Sequence, residues 1–389
     1  MKKNKLISLI TNLIKKTIGN KRHFLHEPKF SNKEILYTSR TIKENFVSSA
    51  GKYVNEFENK IKNFTKAKYA IAVASGTQAL FISLKTCGIQ KNDEVLVPAL
   101  TFVATANAVC YLHAKPHFID SNISDFGVDC KKLDKYLSKI CFIKNNRCFN
   151  KITGNIIKAI IPVHVFGHPC RIDEVIKLSK KFKLQVIEDA TEALGSFYKK
   201  KHLGTYGKTG CLSFNGNKII TTGAGGMVLT NDKYLAHKIK HLTTTAKLKD
   251  EWEYVHDEIG YNFRMPNLNA ALGLAQLEKI KEFVKAKKKL YKKYFNSFKN
   301  LKNVHLFEEP KYAASNYWLQ TLILDKKSAR LKNKILKDLH ANSIYCRPAW
   351  KLLVFLKPYK KYQKMDLSGS KEIYKRVVNI PSSQSLILK

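Results

Sequence analysis

Acidic residues are scarce in this chain. Only 30 aspartates and glutamates stand against 70 lysines and arginines in 389 residues, a formal net charge of +40. Such an excess favours nucleic acid, anionic membranes or phosphorylated small molecules as partners. The lysines, however, run from end to end in doublets and triplets, with no recognisable nucleic-acid module among them, and the charge reads mainly as compositional bias. The eight cysteines show neither Cys-x-x-Cys nor Cys/His ligand spacing, so no metal site and no disulfide framework is expected. A reducing cytoplasm is the natural compartment. Membrane-length apolar runs are also missing: Leu6 to Ile14 is too short, and Val95 to Leu112 is broken by Pro98, Thr101, Thr105 and Asn107. There is no internal repeat and no low-complexity tract. What remains is a globular composition, 44% hydrophobic with mean hydropathy −0.29, long enough for one large domain and a smaller companion.

Apolar residues at 6, 7, 9, 10, 13, 14 and 18 repeat at helical spacing, and Lys15 and Lys16 follow where a signal peptide would need small residues. An amphipathic arm helix is therefore expected. An extended piece near Pro28, a helix to about Asn45 and a helix presenting Val54, Phe57 and Ile61 come next. YAIAVAS, EVLVPA, PHFID, AIIPVHV and LQVIED then read as strands separated by helical stretches. That alternation predicts an α/β fold with a mostly parallel central sheet covered by helices. KNNRCFNKITGN breaks the pattern as an inserted loop or hairpin, and from about Ala286 a Lys-rich helix, a strand over 317–324, a further helix and the strand SIYCRPAW suggest a small α+β domain. The expected division is an arm with helices over 1–45, a large domain over 46–285 and a small domain over 286–389.

The stretch CLSFNGNKIITTGAGGMVL, residues 211–229, places Lys218 among apolar and small neighbours. Desolvation lowers a lysine's pKa and frees the nucleophilic amine that Schiff-base chemistry needs. An ion pair or a side chain snorkelling to the surface is the alternative. In parallel sheets, ligands gather beyond the carboxyl ends of the strands. Ser75-Gly76-Thr77 joins a strand to a helix, a geometry that aims amides at an anion, although Ser and Thr are also common helix caps. Asp189 ends a second strand and His164 lies near the end of a third. A cofactor with a phosphate, an aldehyde and a pyridine ring needs a lysine, hydroxyls and amides, a carboxylate and an aromatic face. Ser75-Gly76-Thr77, Phe102, Asp189, Ser213 and Lys218 supply that set in order.

These residues sit in ASGTQAL, PALTFVATANAV, VIEDATEALGS, CLSFNGNKIITTGAGG and EIGYNFRM, and together they resemble the DegT-like family of sugar aminotransferases from about Phe24 to the C-terminus. LHEP, VSSAGKYV, IIPVHVFGHPC and SFNGNKIITTG are most similar to aminotransferases of the legionaminic acid and bacillosamine type. The resemblance implies a fold-type I enzyme dependent on pyridoxal 5'-phosphate. It makes Lys218 the lysine that carries the cofactor and shuttles the proton, and Asp189 the partner of the pyridine nitrogen. It makes Gly76, Thr77 and Ser213 phosphate contacts, and Phe102 the residue stacked on the ring. Asn262 matches an asparagine that reaches the phosphate of a neighbouring subunit, which implies a homodimer with shared sites. His164 and Arg347 are candidate substrate contacts, with a histidine bonded behind the sheet and one more surface cation as their alternatives. Glu192 stands where many members carry glutamine against the cofactor's ring oxygen; an ionised carboxylate there would repel a phenolate, so a protonated Glu192, or one turned to another partner, is expected. Lys218 occupies the position at which sugar-dehydrating relatives carry histidine, which removes that chemistry. The implied reaction moves an amino group from L-glutamate to C4 of a nucleotide-linked 4-keto-6-deoxy sugar, with UDP-2-acetamido-2,6-dideoxy-4-hexulose as the leading substrate. A 3-amino sugar, a GDP- or TDP-linked sugar, and a cofactor-binding regulator of nucleic acid are the alternatives.

Overall fold

Strands that are apolar on both sides need helices on both sides, and that requirement organises the computed structural model, which describes residues 2–388. The arm is helix α1 (Lys2–Ile18), followed by α2 (Asn32–Lys43), closed by a Ser31/Glu34 capping box, and α3 (Lys52–Thr65). Then come β1 (Tyr69–Val73), α4 (Gly76–Thr86), β2 (Glu94–Pro98), α5 (Val103–Cys110), β3 (Lys115–Ile119) and α6 (Cys130–Ile140). A hairpin, β4 (Cys141–Lys144) and β5 (Arg147–Asn150), accounts for the basic insertion. β6 (Ile156–Ile160), α7 (Ile172–Lys181), β7 (Gln185–Asp189), the short β8 (Phe197–Tyr198) and β9 (Lys201–His202), β10 (Thr209–Ser213) and β11 (Gly226–Thr230) complete the strands of this region. Helices α8 (Lys233–Thr243) and α9 (Asn267–Glu278) follow.

The large sheet has nine strands in the order β1-β11-β10-β7-β6-β2-β3, with the β4–β5 hairpin added to β6. β10, β7, β6, β2 and β3 are mutually parallel, whereas β11 runs antiparallel between β1 and β10. The carboxyl ends of β1, β7 and β10 therefore open on the same edge. β6 stops at Ile160, earlier than AIIPVHV suggests, because Pro162 has no N–H for a ladder.

Helix α10 (Ile280–Phe298) passes from one core to another: Ile280 and Phe283 belong to the large core, Leu290, Tyr294 and Phe298 to a second one. Around the second core lie β12 (Val304–Leu306), β14 (Gln320–Leu324), α11 (Lys332–Ala341), β15 (Arg347–Pro348) and β16 (Val377–Ile380), with strand order β12-β14-β16-β15, while α12 (Ser368–Arg376) packs Ile373 into the large core. The intervening β13 (Ala313–Ala314) pairs instead with β8 of the large domain. Of the expected strand SIYCRPAW only the two residues of β15 pair. The arm closes this second core, since Ile7, Ile10 and Ile14 pack among Leu290, Tyr294 and Leu339. Thr11 Oγ1 donates to Asp338 at 2.5 Å and Lys15 Nζ to Asn342 Oδ1 at 2.7 Å, which fixes its register. No helix among the described residues is long and apolar enough to cross a membrane.

Packing of the arm has a direct test. Ile10 is fully buried and its neighbour Leu9 is 38% exposed. Ile10→Ala is expected to destabilise the protein by about 2–5 kcal/mol, and Leu9→Ala by about 0.5 kcal/mol or less, in urea denaturation. Equal effects of the two substitutions would place the arm elsewhere.

Candidate active site

Gly226, the first residue of β11, is paired with Val73 of β1 on one side and Ser213 of β10 on the other. A Cβ at this position would lie 2.5 Å from the carbonyl carbon of Ser75, so the chain turns from β1 into α4 over a site only glycine can occupy. Ser75 caps α4, its Oγ accepting from the amide of Gln78 at 3.2 Å. The first amides of a helix have no partner within it and carry the positive end of the helix dipole. Those of Gly76 and Thr77 face the edge where Ser213 ends β10, and a Cβ on Gly76 would come within 2.9 Å of the Ser213 Cβ. The result is a narrow cradle of amides and hydroxyls suited to an anion.

Asp189 ends β7 beside it. Its carboxylate is buried, one oxygen accepting from Thr105 Oγ1 at 2.7 Å and the other from Thr191 Oγ1 at 2.7 Å and the Thr191 amide at 3.2 Å. Lys218 approaches from the loop after β10. Its Nζ lies 3.3 Å from Glu192 Oε1 and 4.1 Å from the centre of the Trp318 ring, with the side chain 13% exposed. Glu192 is buried, its other oxygen accepting from the Phe166 amide at 2.8 Å. Burial pushes the Glu192 carboxyl up to about 7; the nearby Asp189 acts in the same direction, and Lys218 and the Phe166 amide pull against it. Burial thus inclines the Glu192 carboxyl towards its protonated form, and its second oxygen is turned to the Phe166 amide.

Gly76, Thr77, Phe102, Asp189, Glu192, Ser213 and Lys218 line a single cavity of about 340 Å³. A larger groove of about 1060 Å³ lies at the opposite ends of β2 and β3, against Glu94 and Lys115. Size does not choose between them; the smaller cavity alone joins an amine, carboxylates and a helix N-terminus at the carboxyl edge of the sheet. Three expected residues fall outside it. His164 is fully buried, with Nε2 3.1 Å from Glu188 and Nδ1 3.4 Å from the Cys170 amide, so its ring is engaged behind the sheet and a substrate contact is not available to it. Arg347 is exposed on β15 and does not line the cavity, although Trp350, three residues on, does. Asn262 is exposed and pairs with Thr244 in an isolated bridge. Conversely, Thr105, Thr191, Trp318 and Trp350 line the cavity and were not singled out from the sequence. The scarcity of tryptophan was a usable signal, since two of only three in the chain are here.

This donor set fits pyridoxal phosphate: a cradle that a Cβ on Gly76 would fill, an amine on Lys218, a buried carboxylate on Asp189, and the aromatic Phe102 at the mouth, 55% exposed. Comparison with known proteins agrees. The model of the DegT/DnrJ/EryC1/StrS aminotransferase family matches residues 28–388. The chain is 36% identical over 363 residues to a GDP-perosamine synthase of Escherichia coli O157:H7, covering 93% of each protein. It is 32% identical over 345 residues to the UDP-4-amino-4,6-dideoxy-N-acetyl-beta-L-altrosamine transaminase of Campylobacter jejuni strain 81-176, covering 88% of each. The solved structure of Helicobacter pylori PseC, an aminotransferase involved in the biosynthesis of pseudoaminic acid, superposes with a TM-score of 0.85 at 26% identity, covering 95% of both chains.

The buried Glu192 carboxyl sets a pH dependence. Its folded value of about 7 lies above the ordinary 4.5, so the folded state favours the protonated form. The associated stability is full below pH 4.5 and is lost as pH rises through about 7. Relative to Glu192→Gln, the cofactor-free protein is expected to lose on the order of 3 kcal/mol between pH 4.5 and 8 in chemical denaturation, at about 1.4 kcal/mol per unit. Parallel pH profiles for the two proteins would contradict this.

Proposed function

This chain belongs to the DegT/DnrJ/EryC1/StrS aminotransferase family, and we propose that it transfers the amino group of L-glutamate to C4 of a nucleotide-linked 4-keto-6-deoxy sugar. The observation that carries the reading is the meeting of the Lys218 amine, the Asp189 carboxylate and the α4 N-terminus in one cavity. Members of the family use pyridoxal phosphate, which when bound supplies an aldehyde carbon and an electron sink for moving an amino group. In this reading Gly76, Thr77 and Ser213 hold the phosphate through amides and a hydroxyl, and Phe102 covers the ring face. Asp189, fixed by Thr105 and Thr191, keeps a proton on the ring nitrogen through a charge-assisted hydrogen bond. Glu192 would face the ring oxygen, and its tendency to keep its proton would avoid repulsion between two anions. The Lys218 amine would hold the cofactor and would be placed to move a proton at the reacting carbon. Trp318 and Trp350 narrow the cavity and keep water from that carbon.

A UDP-linked 2-acetamido-4-keto-6-deoxyhexose is the leading acceptor. It is supported by the SFNGNKIITTG and IIPVHVFGHPC resemblance and by the printed name of the Campylobacter relative, which carries a 4-amino-4,6-dideoxy sugar on UDP. The 36% identity to a GDP-perosamine synthase favours a GDP-linked ketone as the second reading. Purified protein given L-glutamate and a panel of UDP-, GDP- and TDP-linked 4-keto sugars is expected to aminate the UDP-linked sugar at C4, followed by mass spectrometry and NMR. Lys218→Ala is expected to abolish the transfer. Preference for the GDP-linked ketone would replace the substrate and leave the reaction intact, whereas normal turnover by Lys218→Ala would remove the reaction assigned to this site.

The reading includes a cytoplasmic homodimer with shared sites. Asn262 lies on a loop that also exposes Trp252, Tyr254 and Ile259 at 83%, 79% and 85%, and α2 exposes Ile35 and Ile42 at 65% and 59%. These exposed apolar side chains support the reading that another chain covers this region, and a two-fold pair would complete both sites at once. Sedimentation at assay concentration is expected to give a dimer, with Asn262→Ala weakening cofactor retention. A fully active monomer would contradict the shared site.

A further inference from the structure

Lysine at 287 is an expensive residue to bury, because a methionine would fill much the same space without a polar end. Its side chain is fully buried in α10, and its Nζ donates to the carbonyls of Trp318 at 3.1 Å and Ser382 at 2.6 Å. Burial lowers the pKa of this amine well below the ordinary lysine value of 10.5, and it serves as a double donor to these two carbonyls. Trp318 in turn touches the Lys218 loop at two points. The indole Nε1 donates to the carbonyl of Asn217 at 2.7 Å, and the ring face meets the Lys218 Nζ 4.1 Å from its centre. The same segment holds Glu192, the other contact of that amine. Asn316 Nδ2 donates to the carbonyls of Glu192 at 2.8 Å and Leu194 at 2.9 Å, while its Oδ1 accepts from the Trp318 amide at 2.8 Å. The backbone of Glu192 and the indole of Trp318, whose side chains flank Lys218, are therefore tied to one short stretch leading into β14.

We infer that Trp318 is a positioning residue for the Lys218 amine, and that Lys287 acts through Trp318 by anchoring its carbonyl from below. This inference rests on the assignment of Lys218 as the cofactor-carrying residue. A lysine stem has four rotatable carbons, and each catalytic cycle needs the freed amine to return to the same atoms. An indole face attracts an ammonium by about 0.5–2 kcal/mol, and a misplacement of about 1 Å at a reacting group costs about 100-fold in rate. The hydrogen bond to Asn217 sets the start of the stem and the ring face sets its end.

Holoenzyme carrying Trp318→Leu is expected to lose about 10- to 100-fold in kcat, with KM for L-glutamate and for the keto-sugar held within about threefold. Trp318→Phe, which keeps a ring face without the indole donor, is expected to recover most of that loss. Lys287→Met should fall in the same direction, and the double variant should be no slower than Trp318→Leu alone, as expected for residues acting in one chain of contacts. A second readout does not need turnover: cofactor-free Trp318→Leu given pyridoxal phosphate should develop the visible absorbance of the lysine-linked cofactor about tenfold more slowly than wild type. Wild-type kcat and capture rate in Trp318→Leu would overturn the inference, as would a rise in KM alone or no recovery with phenylalanine. If Lys287→Met does not fold, the Trp318 pair decides by itself. An unchanged lysine-linked absorbance in Lys218→Ala would instead overturn the assignment of Lys218, and this inference with it.

Discussion

A side chain at position 226 would collide with the backbone of Ser75, whose carbonyl carbon would lie 2.5 Å away, and the whole site depends on there being none. That absence lets β11 run backwards between β1 and β10 while their carboxyl ends stay close. Ser75 then caps α4 at the level where Ser213 ends β10. The helix dipole, the Ser213 hydroxyl and the Lys218 loop converge because three strands finish together. The antiparallel strand, which is at odds with a purely parallel sheet, is thus part of what makes the cradle.

Once the ends are fixed, water exclusion governs the electrostatics. Glu192 and Asp189 are buried carboxyls near one amine. Their treatment differs: Asp189 receives three donated hydrogen bonds from two threonines, whereas Glu192 has one backbone amide and a 3.3 Å contact with Lys218. Fewer donors on Glu192 leave burial as the larger effect, and its carboxyl moves towards the protonated state.

Much of this was legible in the sequence because the signals were local. Continuous apolar runs marked the strands, and Asp189, Ser213 and Lys218 stand at or just past strand ends in sequence order, so their convergence followed from the parallel rule. What escaped was long-range. Nothing near His164 announces that Glu188, on the next strand, engages its ring. Trp318 reaches the site from beyond α10, about a hundred positions after Lys218, and a lone tryptophan between apolar residues reads as core. The change of character near Ala286 is compositional, while α10 runs unbroken through it and belongs to both cores. SIYCRPAW has strand-like residues but finds an edge partner for only two of them.

The central claim is that one lysine among many carries the cofactor. Borohydride reduction of the holoenzyme followed by proteolysis and peptide mass spectrometry tests it without any assumption about the sugar. The account predicts pyridoxyl label on the peptide containing Lys218 and on no other. Label on Lys287 or on a surface lysine, with the Lys218 peptide unmodified, would contradict it.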